Sequence, residues 1–199
     1  MFKSSGDDPK RAFLRSLQER HPGFREAVLA DARMTALHRG ERNEFRSKLD
    51  ATVQVLRLCW ASDAFAAQAL YRLKAALQAR QIPILPRIAH RASMMLAQVS
   101  IGDPVIVQPG LYVIHGQIVI DGLVEVGPGA VIGPWVTIGL RAGNVQGATL
   151  ERDVHVGTGA KVVGPVRIGA GTQIGANAVV VSDVAPGSTV VGVPAKDPG

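Results

Sequence analysis

Residues 150–180 read LERDVHVGTGAKVVGPVRIGAGTQIGANAVV, with an aliphatic residue at every sixth position: Leu150, Val156, Val162, Ile168, Ile174 and Val180. Upstream the same period runs through Ile101, Val107 and Val113 and, after one extra residue, through Ile120, Val126, Ile132 and Ile138. Glycine often follows the aliphatic, as at Gly102, Gly127, Gly133, Gly157 and Gly175. A helix repeats every 3.6 residues and an exposed strand every 2, so a period of six fits neither alone. It fits a parallel β-helix, in which short strands turn a corner every six residues and each points one aliphatic inward. Three hexapeptides close a triangular coil, and coils stack about 4.8 Å apart. A single coil cannot bury its own inward face, so the stack requires neighbours and a cap at each end.

Two places interrupt the register. One is the extra residue between Val113 and Ile120. The other is the missing aliphatic between Ile138 and Leu150, where Leu140 to Gly147 reads as a loop. Interruptions of a solenoid are where function is inserted. The pattern ends at Pro186, and the chain leaves as a tail through Val191 to Lys196.

Residues 10–97 hold few glycines and read as helices separated by punctuation. Helices are expected over Lys10–Arg20, Phe24–Arg39 and Asn43–Trp60, the last with Leu49, Val53, Leu56 and Trp60 at helical spacing. Ser62 caps a further helix with a stripe of Phe65, Ala69, Leu73 and Leu77. Pro83 and Pro86 break the chain before a final helix over Arg87–Ala97. The expected domains are an α-helical unit over 1–97, with 1–8 disordered, and a β-helix over 98–199 ending in the tail.

The chain has 199 residues and a net charge of +6. Residues 1–97 carry 17 Lys and Arg against 9 Asp and Glu; the remainder carry 5 against 7. The basic half has no aromatic interleaving and no nucleic-acid motif, so solvated helix faces account for it. No apolar stretch approaches the roughly 18 residues of a membrane span, and no secretory signal is visible. The single cysteine, Cys59, suits a reducing compartment, so the expected location is cytoplasmic.

Several motifs carry a resemblance. They are Ala69-Leu70-Tyr71-Arg72-Leu73, then Pro109 to Gly116 followed by Ile118-Val119-Ile120, then Val136-Thr137-Ile138-Gly139 leading into a loop. Gly157 to Gly164 and Gly192-Val193-Pro194-Ala195-Lys196 complete the set. In these motifs, over about residues 45–196, the chain resembles the serine acetyltransferases of the hexapeptide acyltransferase superfamily. The resemblance implies an α+β architecture: an N-terminal helical domain followed by a left-handed parallel β-helix. It implies an acetyl-CoA-dependent O-acetyltransferase of cysteine biosynthesis, acting on L-serine or a related small hydroxyl compound. A homotrimer or dimer of trimers with sites between prisms is the expected assembly. A different acceptor, such as a sugar or a carrier-tethered hydroxy amino acid, is the alternative enzymatic reading. A non-catalytic hexapeptide scaffold is the other.

His115 falls in the family's catalytic segment, immediately before the one-residue break in register. A neutral imidazole can take the proton of an attacking hydroxyl. The family places an aspartate fifteen residues before this histidine; here that position is Ser100, and either Asp103 or a backbone carbonyl is expected to hold the ring. The family's Arg-His pair falls on Gln146 and Gly147, leaving Arg141 for a substrate carboxylate and Asp50 for its ammonium. The superfamily's pantetheine groove implies cofactor contacts at Gly159, Ala160, Ala176 and Ala178 and phosphate contacts at Lys161 and Lys196; a backbone N–H at a glycine turn, expected at Gly139, would stabilise the tetrahedral oxyanion. His155 is read as a solvent-facing corner residue. Two histidines in the repeat fall short of the three that metal-binding β-helix proteins use, and no metal is expected.

Overall fold

The structure, a computed structural model, describes residues 9–198; the disorder expected for 1–8 lies outside the described residues. Five helices come first: α1 (Pro9–Glu19), α2 (Phe24–His38), α3 (Lys48–Ala61), α4 (Asp63–Ala79) and α5 (Leu85–Ala97). Ser62 caps α4 as expected, its hydroxyl accepting from the Phe65 N–H at 3.3 Å. α3 begins later than Asn43 because Ser47 takes the N-cap, its side chain accepting from Asp50 N–H. Pro86 does not precede α5 but sits in its first turn, where a missing N–H costs nothing.

Strands, numbered in chain order, form three parallel sheets. The first sheet stacks β1 (Val99–Ile101), β4 (Ile118–Ile120), β7 (Thr137–Gly139), β10 (Lys161–Val163) and β13 (Val179–Val180). The second stacks β2 (Ile106–Val107), β5 (Leu123–Val126), β8 (Gln146–Leu150) and β11 (Arg167–Ile168). The third stacks β3 (Tyr112–Val113), β6 (Val131–Ile132), β9 (His155–Val156), β12 (Gln173–Ile174) and β14 (Thr189–Val190). The predicted aliphatics are the rungs. Ile101, Ile120, Ile138, Val162 and Val180 are successive partners in the first sheet. Val107, Val126, Leu150 and Ile168 align in the second. Val113, Ile132, Val156 and Ile174 align in the third, which Val190, outside the predicted series, extends by one rung. All are buried. This is the left-handed β-helix of hexapeptide proteins, about five turns tall.

The loop between Ile138 and Leu150 is shorter than its sequence suggests. Gln146 and Gly147 already belong to β8, which pairs with β5 through a register shift between Leu123 and Glu125.

The helical half closes the open end of the first coil. Strands β1, β2 and β3 have a sheet neighbour on one side only, so their other backbone groups need partners. α4 supplies most of them. Gln68 donates to Leu111 O at 2.7 Å and accepts from Val113 N–H at 3.2 Å; Tyr71 donates to Val105 O at 2.9 Å. Arg72 donates to Val107 O and Gln108 O, at 2.5 and 2.8 Å. Lys74 donates to Ile101 O at 2.5 Å, and Ser93 of α5 to Val99 O at 2.9 Å. Asp31 of α2 pairs with Arg72 and accepts from the N–H groups of Gly110 and Leu111, both at 2.9 Å. The buried face of α4 is therefore Ala64, Phe65, Ala67, Gln68, Tyr71, Arg72, Lys74 and Ala75. Leu73, expected in its stripe, is exposed, as are Leu49, Val53, Leu56 and Trp60 on α3.

Candidate active site

Each coil turns from the third sheet into the first at an edge built of Ile114–Gln117, Gly133–Val136, Gly157–Ala160 and Gly175–Ala178. The turns are tied vertically: Gly159 N–H donates to Pro134 O and Asn177 N–H to Thr158 O, both at 2.8 Å. The lowest turn holds the extra residue: Val119 pairs with Thr137, so Ile114–Gln117 corresponds to the three residues Gly133–Trp135. Gly116, at φ +131°, lies against the end of α5, and a Cβ there would stand 2.2 Å from Ala97 O. Gln117 N–H bonds the same carbonyl at 2.8 Å. Only glycine fits this approach, and the longer turn leaves His115 exposed beside it.

His115 lines a cavity of about 350 Å³ with Arg39, Ala61, Ser62, Asp63, Ala64, Tyr112 and Ile114. Among the described residues no group hydrogen-bonds its ring, so both nitrogens are open to a ligand. Arg39 follows the end of α2 and pairs with Glu41, Nε to Oε1 2.9 Å. Asp63 opens α4 and has no ion pair among the described residues. Sequence reasoning passed over both, because each sits at a helix end whose packing beside the His115 turn is set by the tertiary fold. Only the Ser62 cap marked that neighbourhood.

Asp103 is not brought to His115. It follows β1, at the far end of the first sheet from the turn that precedes β4. There its carboxylate accepts from Lys74 at 3.0 Å, in a separate cavity of about 380 Å³ that Ser100, His90 and Asp121 also line. Burial alone would raise the Asp103 pKa, but the Lys74 ammonium beside it carries the net shift downward. Burial pulls Lys74 down despite that partner. An ammonium buried to this depth needs a counter-charge, and Asp103 supplies it.

Asp50 is likewise engaged. Arg42 grips it with two bonds, at 2.8 and 2.9 Å, and Arg46 N–H adds a third; together they hold its carboxyl well below the usual range. Among the described residues Arg141 reaches only Val181 O, at 3.5 Å, and Gln146 N–H bonds Asn144 Oδ1. Gly147 has no room for a side chain: a Cβ would stand 2.3 Å from Val124 Cγ2. Gly139 ends β7, away from the His115 edge, where a Cβ would meet only Thr137 at 3.8 Å.

Gly159, Ala160, Ala176 and Ala178 do share the His115 edge, on higher turns. Ala160 and Ala178 are fully buried, so their methyls fill the prism and only their backbone can face a ligand. Ala176 is exposed. Lys161 donates to Trp135 O at 2.6 Å, and Lys196 lies in the tail, bonded through its backbone to Val191. His155 is not at a corner. It is on β9, half-buried, in the same register as Tyr112, on which His38 stacks at 4.4 Å. Burial and then His38 lower its pKa. Among the described residues no group of three or more His, Cys, Asp or Glu could hold a metal ion, and no helix is long and apolar enough to cross a membrane.

A capped prism of hexapeptide coils with an open histidine at its lowest turn defines a hexapeptide-repeat transferase. The family model "Bacterial transferase hexapeptide (six repeats)" matches residues 147–182, and "Hexapeptide repeat of succinyl-transferase" matches 129–162. The serine acetyltransferase of Helicobacter pylori (strain J99) is 38% identical over 130 residues, 63% of this chain and 75% of its own. That of Mycobacterium tuberculosis is 38% identical over 130 residues, but the chain spans only 56% of its length. Neisseria gonorrhoeae serine acetyltransferase, solved in complex with serine, superposes with a TM-score of 0.73 at 26% identity, covering 97% of this chain and 78% of that one. The chain belongs to the serine acetyltransferase family.

Proposed function

We propose that this chain transfers an acetyl group from acetyl-CoA to the hydroxyl of L-serine or a related small hydroxyl compound, with His115 as general base. The observation that carries this reading is the unpartnered His115 imidazole, in a cavity that also holds a carboxylate and a guanidinium, on this family's fold. A relative bound to serine adds support for the acceptor. The hydroxyl proton passes to His115 as the hydroxyl oxygen bonds the thioester carbon. The C–S bond then breaks, and the imidazolium protonates the departing thiolate. In this reading Asp63 and Arg39, which line that cavity, meet the ammonium and carboxylate of an amino-acid acceptor in place of Asp50.

Acetyl-CoA is the co-substrate, running up the edge above His115 past Gly159, Ala160, Lys161, Ala176 and Ala178. The working assembly is a homotrimer or dimer of trimers in the cytoplasm, with Gly139, Arg141, Gln146 and Lys196 reaching the site from a neighbouring prism. The helical unit (1–97) and the β-helix (98–199) are read as two domains that share a core where α4 covers the first coil. The packed position of Gly147 favours a second reading, in which the acceptor is a sugar or a carrier-tethered hydroxy amino acid.

The test is thiol release from acetyl-CoA, scanned over L-serine, L-homoserine, L-threonine and simple sugars, with His115→Ala as blank. Release that needs serine and His115 is the expected result. His115→Ala should lower turnover by about 10²–10⁴-fold; a loss within threefold removes the base assignment. Release with another acceptor alone selects the second reading, and absence of acetyl-CoA binding selects a scaffold.

A further inference from the structure

Two edges of the prism place a residue in the left-handed backbone region coil after coil, and they fill those positions differently. On the edge joining the second sheet to the third stand Gly110, Gly129, Asp153, Gly171 and Gly187, at φ between +58° and +87°. These are residue types that adopt such angles readily. On the His115 edge the corresponding residues are Gln117 (φ +49°), Trp135 (φ +64°), Gly159 (φ +73°) and Asn177 (φ +57°). Trp135 stands out. A bulky side chain in this region is an outlier, and burial would normally offset the cost, but its indole is 59% exposed. Among the described residues no hydrogen bond or ring contact holds the indole; the bond made to Trp135, from Lys161, is to its carbonyl. Strain kept without an internal reward marks a contact made outside the chain.

The position of Trp135 says which contact. Its turn lies one coil above that of His115, about 4.8 Å along the prism, and one coil below Gly159. The Lys161 ammonium clasps its carbonyl and fixes the turn. An acyl donor that delivers its thioester to His115 from above must cross this residue. We infer that the Trp135 indole is the wall against which the pantetheine arm of the acyl-CoA packs, next to the thioester. This inference rests on the proposed acetyltransfer at His115.

The chain has two tryptophans, so Trp60→Phe leaves Trp135 as the only indole reporter. Titrated with CoA, this variant should show an emission change that saturates at the concentration calorimetry gives for binding. In Trp135→Asn, which suits the left-handed turn, the KM for acetyl-CoA should rise on the order of tenfold. The KM for the acceptor and the sedimentation coefficient should stay unchanged, and the melting temperature should hold or rise. CoA binding with a silent indole overturns the inference and leaves the acetyltransfer reading intact. A dissociated Trp135→Asn assembly also overturns it, in favour of a contact between prisms. If calorimetry detects no CoA binding to the parent protein, the acetyltransfer reading itself fails.

Discussion

The interior of the prism and its lower end are built on opposite principles. Inside, each rung is an aliphatic stacked on an aliphatic, and the buried polar exception among the described residues is Thr172, which donates to Gly169 O at 2.7 Å. At the lower end Asp31, Gln68, Arg72, Lys74 and Ser93 are all buried. The difference follows from hydrogen-bond supply. A middle strand finds backbone partners above and below, so its side chains need only fill space. Strands β1 to β3 have bare backbone on one side, and apolar helices laid against it would strand those groups at a cost of about 1–3 kcal/mol each. The lower end therefore trades generic packing for a set of paired contacts, and that set fixes how the helices dock and where the His115 cavity forms.

The sharpest way to break this contrast is Arg72→Met. It removes bonds to two first-coil carbonyls and leaves the Asp31 carboxylate buried without its cation. The expected loss is about 3–5 kcal/mol, read from urea midpoints. Asp31→Ala should cost a similar amount, and the double variant much less than the sum, because the two act as one unit. Additive losses would mean that the pair does not specify docking.

The same contrast explains what could be read from the sequence. The rungs were legible because a period of six is a local signal, visible in spacing alone. The turn that carries His115 was legible because its extra residue breaks that period. Arg72 and Lys74 look like a solvated helix face, since their partners lie 35 and 27 residues away. Conversely, Leu49, Val53, Leu56 and Trp60 look like a core stripe and are exposed, Trp60 at 92%. Helical spacing gives a face; it does not say what covers it. Asp103 shows the same limit: three residues on from Ser100 it is already past the end of β1, in the far turn, where a buried lysine pairs with it.

The lower end should also respond to pH where the interior does not. His21 lies beside Tyr71, its Nδ1 buried without a partner among the described residues, and burial followed by Arg72 and Lys74 lowers its pKa from 6.5 to about 4. Above pH 6.5 both folded and unfolded chains hold it neutral. Below 6.5 the unfolded chain takes up the proton first, so stability falls towards pH 4 and then levels off. With partial exposure of the ring discounted, the loss by pH 5 is about 1–2 kcal/mol. His21→Leu should flatten the urea midpoint between pH 7 and 5; an unchanged slope would assign the acid sensitivity elsewhere. Ile138→Val, in the middle rung of the first sheet, should cost about 1 kcal/mol at every pH.

The smallest effect expected is at Gly139, and it separates stability from ligand approach. Most glycines that follow a rung are sterically required: a Cβ at Gly157 would stand 2.8 Å from Ala176 N, and one at Gly127 2.6 Å from Glu151 O. Gly139 occupies the equivalent place after Ile138, yet its backbone lies outside the left-handed region and the nearest atom to a Cβ is Thr137 Cγ2 at 3.8 Å. The fold makes no demand for glycine there. Gly139→Ala should therefore change stability by less than about 0.5 kcal/mol, while Gly157→Ala forces the turn stack apart. If the bound acyl donor passes over Gly139 of a neighbouring prism, the added methyl raises the KM for acetyl-CoA in a protein that melts like its parent. An unchanged KM would place the donor wholly on the His115 edge, with the loop after β7 left to the acceptor.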